Sequence, residues 1–547
     1  MLLFDHCECF QIFSLGKTFS EEAQHIDTKK QTRAEIFNTP LFPFFSRIRK
    51  QGQRKKCFIS CSVIAVIAGM MSACQDTASV EPSPMAIPVV SAKEADIINL
   101  EILIRNLDKK FEENKFENDI AIPSTLYFMD DWQNDYFIQP IIKRWRPNDD
   151  YVVFDLDKGN FLRRLSTVVS IKRPVDNAVL SAKLINSDKF ETVKVTKSTL
   201  KVASKNVDNG TVYAQIIGDS YTNGGFYKSA LIDNNLVPNL KLIGLRKNGE
   251  GYYDEGRGGW SLASYFSVPK NAITFHGFMH PEGDYRYWGS KEFWINAHLC
   301  ARNKQPEGTE PKYSCSRYDD YINMFDEETG LLLSPSAGDL QYDNASDSFI
   351  LYDGNEWIKT DQKFNWGFDY EKYLSMFHLP APDFVFIELG LNDFLNNIKA
   401  DFTTWEQRIY QMHRSILKAN DKCKIAICIP CSTCGSIEND SGFFTPMQDA
   451  AMWRFRSWLI ETFDHKENES IYLLDTGACI DPENGYRHTD RKELTQPFFN
   501  SPTSAPDLRI QTGVPHPYLS YPQTGIPLAA FIQYYRNEIH RSASPSE

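Results

Sequence analysis

From residue 212 onward, short apolar runs stopped by turn formers alternate with longer segments whose apolar positions recur at helical spacing. The runs 212–217, 241–245, 384–389, 424–429 and 471–474 read as buried strands, and 403–418, 447–463 and 525–539 as helices. Within 447–463, Phe455, Trp458, Leu459 and Phe463 fall at i, i+3, i+4 and i+8, one face of a helix, and are expected in the core. Strand–helix alternation of this length predicts the α/β class: a parallel sheet in three layers, with right-handed crossovers.

Residues 96–208 follow another rhythm. Short β-type runs at 125–128, 151–154, 167–171 and 192–195 are separated by turn formers such as Arg173-Pro174-Val175-Asp176-Asn177, which predicts a small all-β module. Residues 97–116 read as a helix at its start. A long insertion, about 267–380, precedes the third strand and holds Phe275-His276-Gly277-Phe278-Met279-His280 and Tyr285-Arg286-Tyr287-Trp288. Its aromatic content speaks against disorder, and insertions of this length usually carry function. His276 and His280 are expected to be packed or solvated rather than metal ligands.

The amino terminus reads as an address. Arg47, Arg49, Lys50, Arg54, Lys55 and Lys56 precede an apolar run, 57–73, that closes on Met71-Ser72-Ala73-Cys74. A basic region, an apolar stretch and small residues before a cut describe a secretory signal. The ending resembles a bacterial lipobox, which implies lipidation of Cys74 and a lipid-anchored protein of the cell envelope, in the periplasm or at the cell surface. The alternative is a signal anchor that stays in the membrane. Residues 1–45 fit no part of a signal, so the start reads as over-extended. Residues 74–95 are expected to be a flexible tether. The domains so delimited are 1–73, 74–95, 96–208 and 209–547.

Composition narrows the function. Hydrophobic residues make up 42% of the 547 and aromatics 13%, enough for sizeable cores. With a formal net charge of −12 and no basic stripe beyond the leader, a nucleic-acid partner is not expected. Of twelve cysteines, Cys7, Cys9, Cys57 and Cys61 lie in the leader. Cys300 and Cys315 suit a disulfide in an oxidising compartment. Cys428, Cys431 and Cys434 invite a metal reading, but no fourth ligand of matching spacing lies nearby, and 424–429 already reads as a strand. No metal or other cofactor is implied.

The strand 212–217 stops at Gly218-Asp219-Ser220, which places Ser220 at the carboxyl end of a strand and beside the start of an amphipathic segment. Ligands of open α/β sheets gather at that edge, although Asp219 or Ser220 as a plain helix cap would suit the same residues. Gly258-Gly259-Trp260 follows the second strand, with Gly259 placed to donate its N–H to an oxyanion or simply to turn the chain. The third strand ends in Gly390-Leu391-Asn392-Asp393, whose Asn392 amide is a further donor. Near the carboxyl end stands Val514-Pro515-His516-Pro517, with an imidazole to take the serine proton.

In this order these four blocks resemble the SGNH (GDSL-type) hydrolase superfamily, over roughly 210–547. The upstream module and the long insertion make the layout similar to secreted Bacteroidetes-type SGNH esterases. The resemblance implies a flavodoxin-like three-layer α/β/α domain, with Ser220 as nucleophile, His516 as base, and an oxyanion hole from the Ser220 N–H, the Gly259 N–H and Asn392. It implies a serine esterase acting on O-acyl esters, acetyl foremost, on carbohydrate, with the membrane met through the anchor on Cys74. One position departs from the family, which usually carries an Asp three residues before the histidine; here it is Gly513, after Gln511 and Thr512, with Asp507 further off. The alternative function is a catalytically degenerate, surface glycan-binding lipoprotein. The acyl group, the glycan and the oligomeric state are not legible.

Overall fold

Upstream of residue 210 the apolar runs form strands: β1 (Thr125–Met129), β2 (Asn134–Phe137), β3 (Asp150–Leu156), β4 (Arg163–Arg164), β5 (Val168–Ile171), β6 (Val179–Asn186) and β7 (Glu191–Ala203). They make a four-stranded sheet, β1-β7-β6-β3, and a three-stranded one, β2-β5-β4. In β6 burial alternates, sending Leu180, Ala182 and Leu184 into a core that they share with Phe154, Val169 and Leu200. The computed structural model describes residues 99, 101–102, 118–143, 150–187, 189–205, 210–247, 251–270, 276–290, 324–326, 328–433, 444–490, 509–512 and 514–543. The leader with Cys74, the tether, most of the helix expected over 97–116, and Cys300, Cys315, Cys434 and Gly513 lie outside them. Residues 97–547 belong to one compact unit.

The larger sheet begins with β8 (Val212–Gly218), which leads into a short helix α1 (Ser220–Asn223); β9 (Leu240–Ile243), β10 (Arg246–Lys247) and β11 (Tyr253–Gly256) follow. The insertion contributes β12 (Met279–Pro281), β13 (Arg286–Ser290), β14 (Asp339–Asp343), β15 (Ser348–Tyr352), β16 (Trp357–Thr360), β17 (Trp366–Phe368) and α2 (Tyr370–Met376). Then come β18 (Phe384–Glu388), α3 (Leu391–Phe394), α4 (Thr403–Ala419), β19 (Lys424–Cys428), α5 (Pro446–Phe463), β20 (Ile471–Leu474), β21 (Arg487–Asp490), β22 (Arg509–Thr512), α6 (Tyr521–Thr524) and α7 (Ile526–Ala543). Seven strands join in the order β10-β11-β8-β18-β19-β20, with β9 beside the first half of β8. All pairings are parallel except that of β10 with β11. The chain leaves β8 for one side, β9 and β11, and returns on the other with β18. The carboxyl end of β8 is therefore the point where the strand order reverses, the place where open α/β sheets form ligand crevices.

Alternation along these strands feeds two separate cores. Ile217, Val385, Ile387, Ile425 and Leu473 pack with α4 and α5, including the expected stripe Phe455, Trp458, Leu459 and Phe463. Ile216, Phe384, Phe386, Ala426 and Leu474 pack instead with α7 through Leu528, Phe531 and Ile532. Each of the Val, Ile, Leu and Phe side chains contributes on the order of 1.5–3 kcal/mol when fully buried.

The upstream strands share this second core. Tyr127 and Met129 of β1 belong to it, Tyr127 meets Phe531 edge-on at 5.0 Å between ring centroids, and Lys201 Nζ donates to Tyr535 Oη at 2.6 Å. Arg456 of α5, fully buried, donates to Ala121 O at 2.8 Å and to Asp475 Oδ1 at 2.8 Å. In the insertion, Tyr287 packs against Trp366 at 5.1 Å and Trp288 against Phe377 at 5.7 Å. Tyr287 and Trp288 are both buried. No helix among the described residues is long and apolar enough to cross a membrane.

Candidate active site

Ser220 is the first residue of α1, at the carboxyl end of β8. The helix is only four residues long and is followed by a π-helical turn, Ser229–Asp233, where the sequence reads as an amphipathic segment. Asp219 caps it, accepting the Tyr221 N–H on Oδ1 at 3.0 Å. The turn tolerates no side chain at its glycines. A Cβ on Gly218 would lie 2.1 Å from Thr222 Oγ1, and one on Gly256 would lie 2.3 Å from Asn223 N. Among the described residues neither the Ser220 hydroxyl nor its N–H has a protein hydrogen-bond partner.

The glycine block is held against this turn by a strand that was not legible in the sequence. β11, Tyr-Asp-Glu-Gly, pairs with the end of β8 so that Glu255 faces Ile217 and Gly256 faces Gly218 in register. Arg257 N then donates to Gly218 O at 2.9 Å, and Trp260 N to Arg257 O at 3.2 Å, closing a turn with Gly259 at φ +77°. That left-handed value is cheap for glycine. A Cβ on Gly258 would stand 4.0 Å from Ser220 Cβ, so the turn borders the serine. Beneath it lies a buried ion pair, Arg257 Nη1 to Glu255 Oε2 at 2.6 Å, and Glu255 Oε1 also accepts from Tyr373 Oη at 2.6 Å. The loop's far end is fastened by Leu262 N, which donates to both oxygens of Asp393 at 3.1 Å.

Asn392 comes to the same place. Gly390, at φ +120°, turns the chain sharply after β18 and packs so closely that a Cβ would lie 2.1 Å from Phe455 Cε1. Asn392 Nδ2 donates to Asp219 Oδ2 at 3.0 Å and to Trp260 O at 3.0 Å. The amide thus joins all three blocks, and both its hydrogens have acceptors. Burial pushes Asp219 up to about 7 and Asp393 up to about 6, and lifts Glu388, at the end of β18, well above the usual carboxyl range.

His516 approaches through its neighbours. Tyr221, next to the serine, donates its hydroxyl to Pro515 O at 2.6 Å, and its ring centroid is 5.9 Å from that of His516. Phe226 at 6.2 Å and Tyr518 at 5.8 Å complete an aromatic surround. Burial among these rings lowers the imidazole to about 4, so it is neutral at pH 7. No hydrogen bond joins its ring to Ser220 or to a carboxylate among the described residues, and no carboxylate contributes to its shift. Of the residues just before it, Gln511 directs its amide to Pro482 O at 2.8 Å and Glu483 O at 3.0 Å.

Cys428, Cys431, His276 and His280 are packed side chains. Cys428 packs in the α7 core and Cys431 in the α4–α5 core, so the two thiols face opposite sides of the sheet and do not converge. His276 is buried with Nε2 3.0 Å from Ser267 O, and His280 with Nε2 2.8 Å from Gly277 O; burial lowers them to about 3 and about 4. Two site residues went unread in the sequence, Tyr221 and Glu388. A charged residue ending the otherwise apolar Phe384–Glu388 run was the signal for the second.

No family model matches the chain, and no curated protein matches it. Among solved structures the chain is similar to that of a possible lipase from Chitinophaga pinensis DSM 2588, at 12% identity and a TM-score of 0.23, over 60% of this chain and 99% of that one. A likeness at that TM-score carries no argument about fold or activity.

Proposed function

We propose that the chain is a serine esterase with a flavodoxin-like, three-layer SGNH-type domain, hydrolysing O-acyl esters, acetyl foremost, on carbohydrate. The observation that carries the reading is the meeting of Ser220, the Gly258–Gly259 turn and Asn392 where the strand order reverses. Three segments far apart in sequence bring a hydroxyl and several N–H donors to one sheet edge, and a serine nucleophile needs that set.

In the proposed reaction Ser220 Oγ bonds to the ester carbonyl carbon while His516 takes its proton. The Ser220 and Gly259 N–H groups receive the negative charge on the carbonyl oxygen, with Asn392 contributing as its bond to Trp260 O loosens. The C–O bond to the alcohol breaks as His516 returns the proton, and water then repeats the cycle on the acyl-enzyme. Catalytic hydrogen bonds often tighten only once substrate is bound, which accommodates an imidazole with no hydrogen bond to Ser220 among the described residues. An anchor on Cys74 would place the activity in the cell envelope.

The second reading, a glycan-binding lipoprotein on an inactive scaffold, is favoured by one observation: no carboxylate orients His516 among the described residues. Release of 4-nitrophenol from 4-nitrophenyl acetate by the purified chain, beside Ser220→Ala and His516→Ala, separates the two. Activity that collapses in both variants supports the esterase; equal low rates in all three favour the binding protein.

A further inference from the structure

Behind the serine lie two buried carboxyl groups that the proposed reaction does not use as acid or base. Asp219 and Glu388 are joined along the backbone, Asp219 N donating to Glu388 O at 3.2 Å, and their side chains touch within hydrogen-bonding reach. Both are at most 1% exposed. The oxygens of Asp219 are each already accepting, from the Tyr221 N–H and from Asn392. Glu388 is differently placed: Thr222 Oγ1 approaches Oε2 at 3.4 Å, while Oε1 is buried with no hydrogen-bond partner among the described residues. Two ionised carboxylates in contact would repel in a low-dielectric site and leave that oxygen orphaned. One proton turns the pair into a donor and an acceptor.

We propose that Glu388 is a positioning residue, a neutral acid that donates its O–H to the Asp219 carboxylate and so fixes Asp219 in the geometry that orients Asn392 and the Ser220 turn. The proton belongs to Glu388 because Asp219 receives two other donors, which stabilise its charge. Strand alternation sends Glu388 toward the α7 core, where its titratable neighbours are Tyr227, Tyr252 and Cys428; Tyr221 neighbours both carboxyl groups, and Asp393 neighbours Asp219. None of these groups is a cation. The role in positioning Ser220 rests on the esterase reading; the place of the proton does not.

The test reads the proton directly, in the full chain at pH 8, by the infrared C=O stretch of protonated carboxyl groups. The wild-type-minus-Glu388→Gln difference is expected to show one such band, because glutamine keeps a donor toward Asp219 but removes the acid. Absence of the band means Glu388 is ionised and overturns the proposal. A band that survives in Glu388→Gln and vanishes in Asp219→Asn reverses the roles and also overturns it. Should Glu388→Gln fail to fold, Asp219→Asn serves instead: the Glu388 band is expected to persist but shift, and an unshifted band contradicts a bond to Asp219. Thermal unfolding gives a second readout. A raised folded pKa gives stability below the unfolded pKa that is lost as pH rises, so the Tm of wild type relative to Glu388→Gln is expected to fall between pH 5 and 8. A constant difference overturns the proposal. Neither measurement uses catalysis, so a wild type inactive on esters with the band intact would fail the esterase reading alone.

Discussion

Asn392 donates to Asp219 Oδ2 at 3.0 Å, tying the turn after β18 to the residue that precedes Ser220. Two loops some 170 residues apart in sequence are thereby held as one surface. Its second hydrogen goes to Trp260 O at 3.0 Å, which brings in the glycine turn as well.

Replacing Asn392 should therefore act twice. Asn392→Ala leaves a buried Asp219 oxygen without its donor, a loss of about 1–3 kcal/mol of stability. As an oxyanion donor its removal lowers kcat by roughly 10²–10³-fold. Denaturant unfolding and steady-state kinetics on one ester measure the two effects. A kcat unchanged beside a lowered stability would leave Asn392 as a structural tie alone.

Gly390 and Gly259, both at positive φ, should respond differently to alanine. At Gly390 a Cβ meets Phe455 at 2.1 Å and the backbone is at φ +120°, so Gly390→Ala should cost about 3 kcal/mol or more. At Gly259 nothing lies within 4 Å and only the left-handed backbone resists, so Gly259→Ala should cost about 1–2 kcal/mol. Equal unfolding midpoints for the two variants would contradict the packing described for Gly390.

The buried Arg456–Asp475 pair links α5 and the end of β20 to the upstream strands through Ala121 O and Tyr136. Arg456→Met should leave Asp475 as an unpaired buried charge and cost about 3–5 kcal/mol, and adding Asp475→Asn should restore part of it. A double variant no more stable than the single one, by urea unfolding, would show that the charge is not what the arginine balances.

His516 sets an expected pH profile. Burial lowers it to about 4, so the imidazole stays neutral, and able to accept a proton, well below pH 6. The acid limb of kcat/KM is expected near pH 4, with about nine-tenths of the plateau kept at pH 5. The stability sign follows from the same shift. Between pH 6.5 and 4 the unfolded chain takes a proton that the folded chain refuses, so His516 costs stability as pH falls through that window. His516→Gln should flatten the fall in Tm there; an unchanged slope, or an acid limb at 6.5 or above, would contradict the burial argument.

Much of this was legible in the chain. The apolar runs 212–217, 384–389 and 424–429 match β8, β18 and β19 within one residue at each end, because buried parallel strands are apolar throughout. The stripe Phe455, Trp458, Leu459 and Phe463 is core as its spacing requires. β11 was missed because Tyr-Asp-Glu-Gly has no apolar pattern; its polar groups are buried by mutual pairing, Glu255 with Arg257 and Tyr373, which sequence alone does not reveal. The blocks around Ser220 and Asn392 are legible because each follows the end of an apolar strand; the one around Gly259 is legible only from its paired glycines. Glu388 is hidden as the one charged residue within the apolar run 384–389, and the aromatic surround of His516 comes from rings at Tyr221, Phe226 and Tyr518 that no local pattern joins.

The central claim is that Ser220 is a nucleophile activated by its surroundings. The most direct measurement is labelling of the purified chain with a fluorophosphonate probe, followed by peptide mass spectrometry. The expected result is a single phosphonyl adduct on Ser220, absent from Ser220→Ala and formed more slowly in His516→Ala. A folded wild type that takes up no probe, or takes it up on another residue, would contradict the claim.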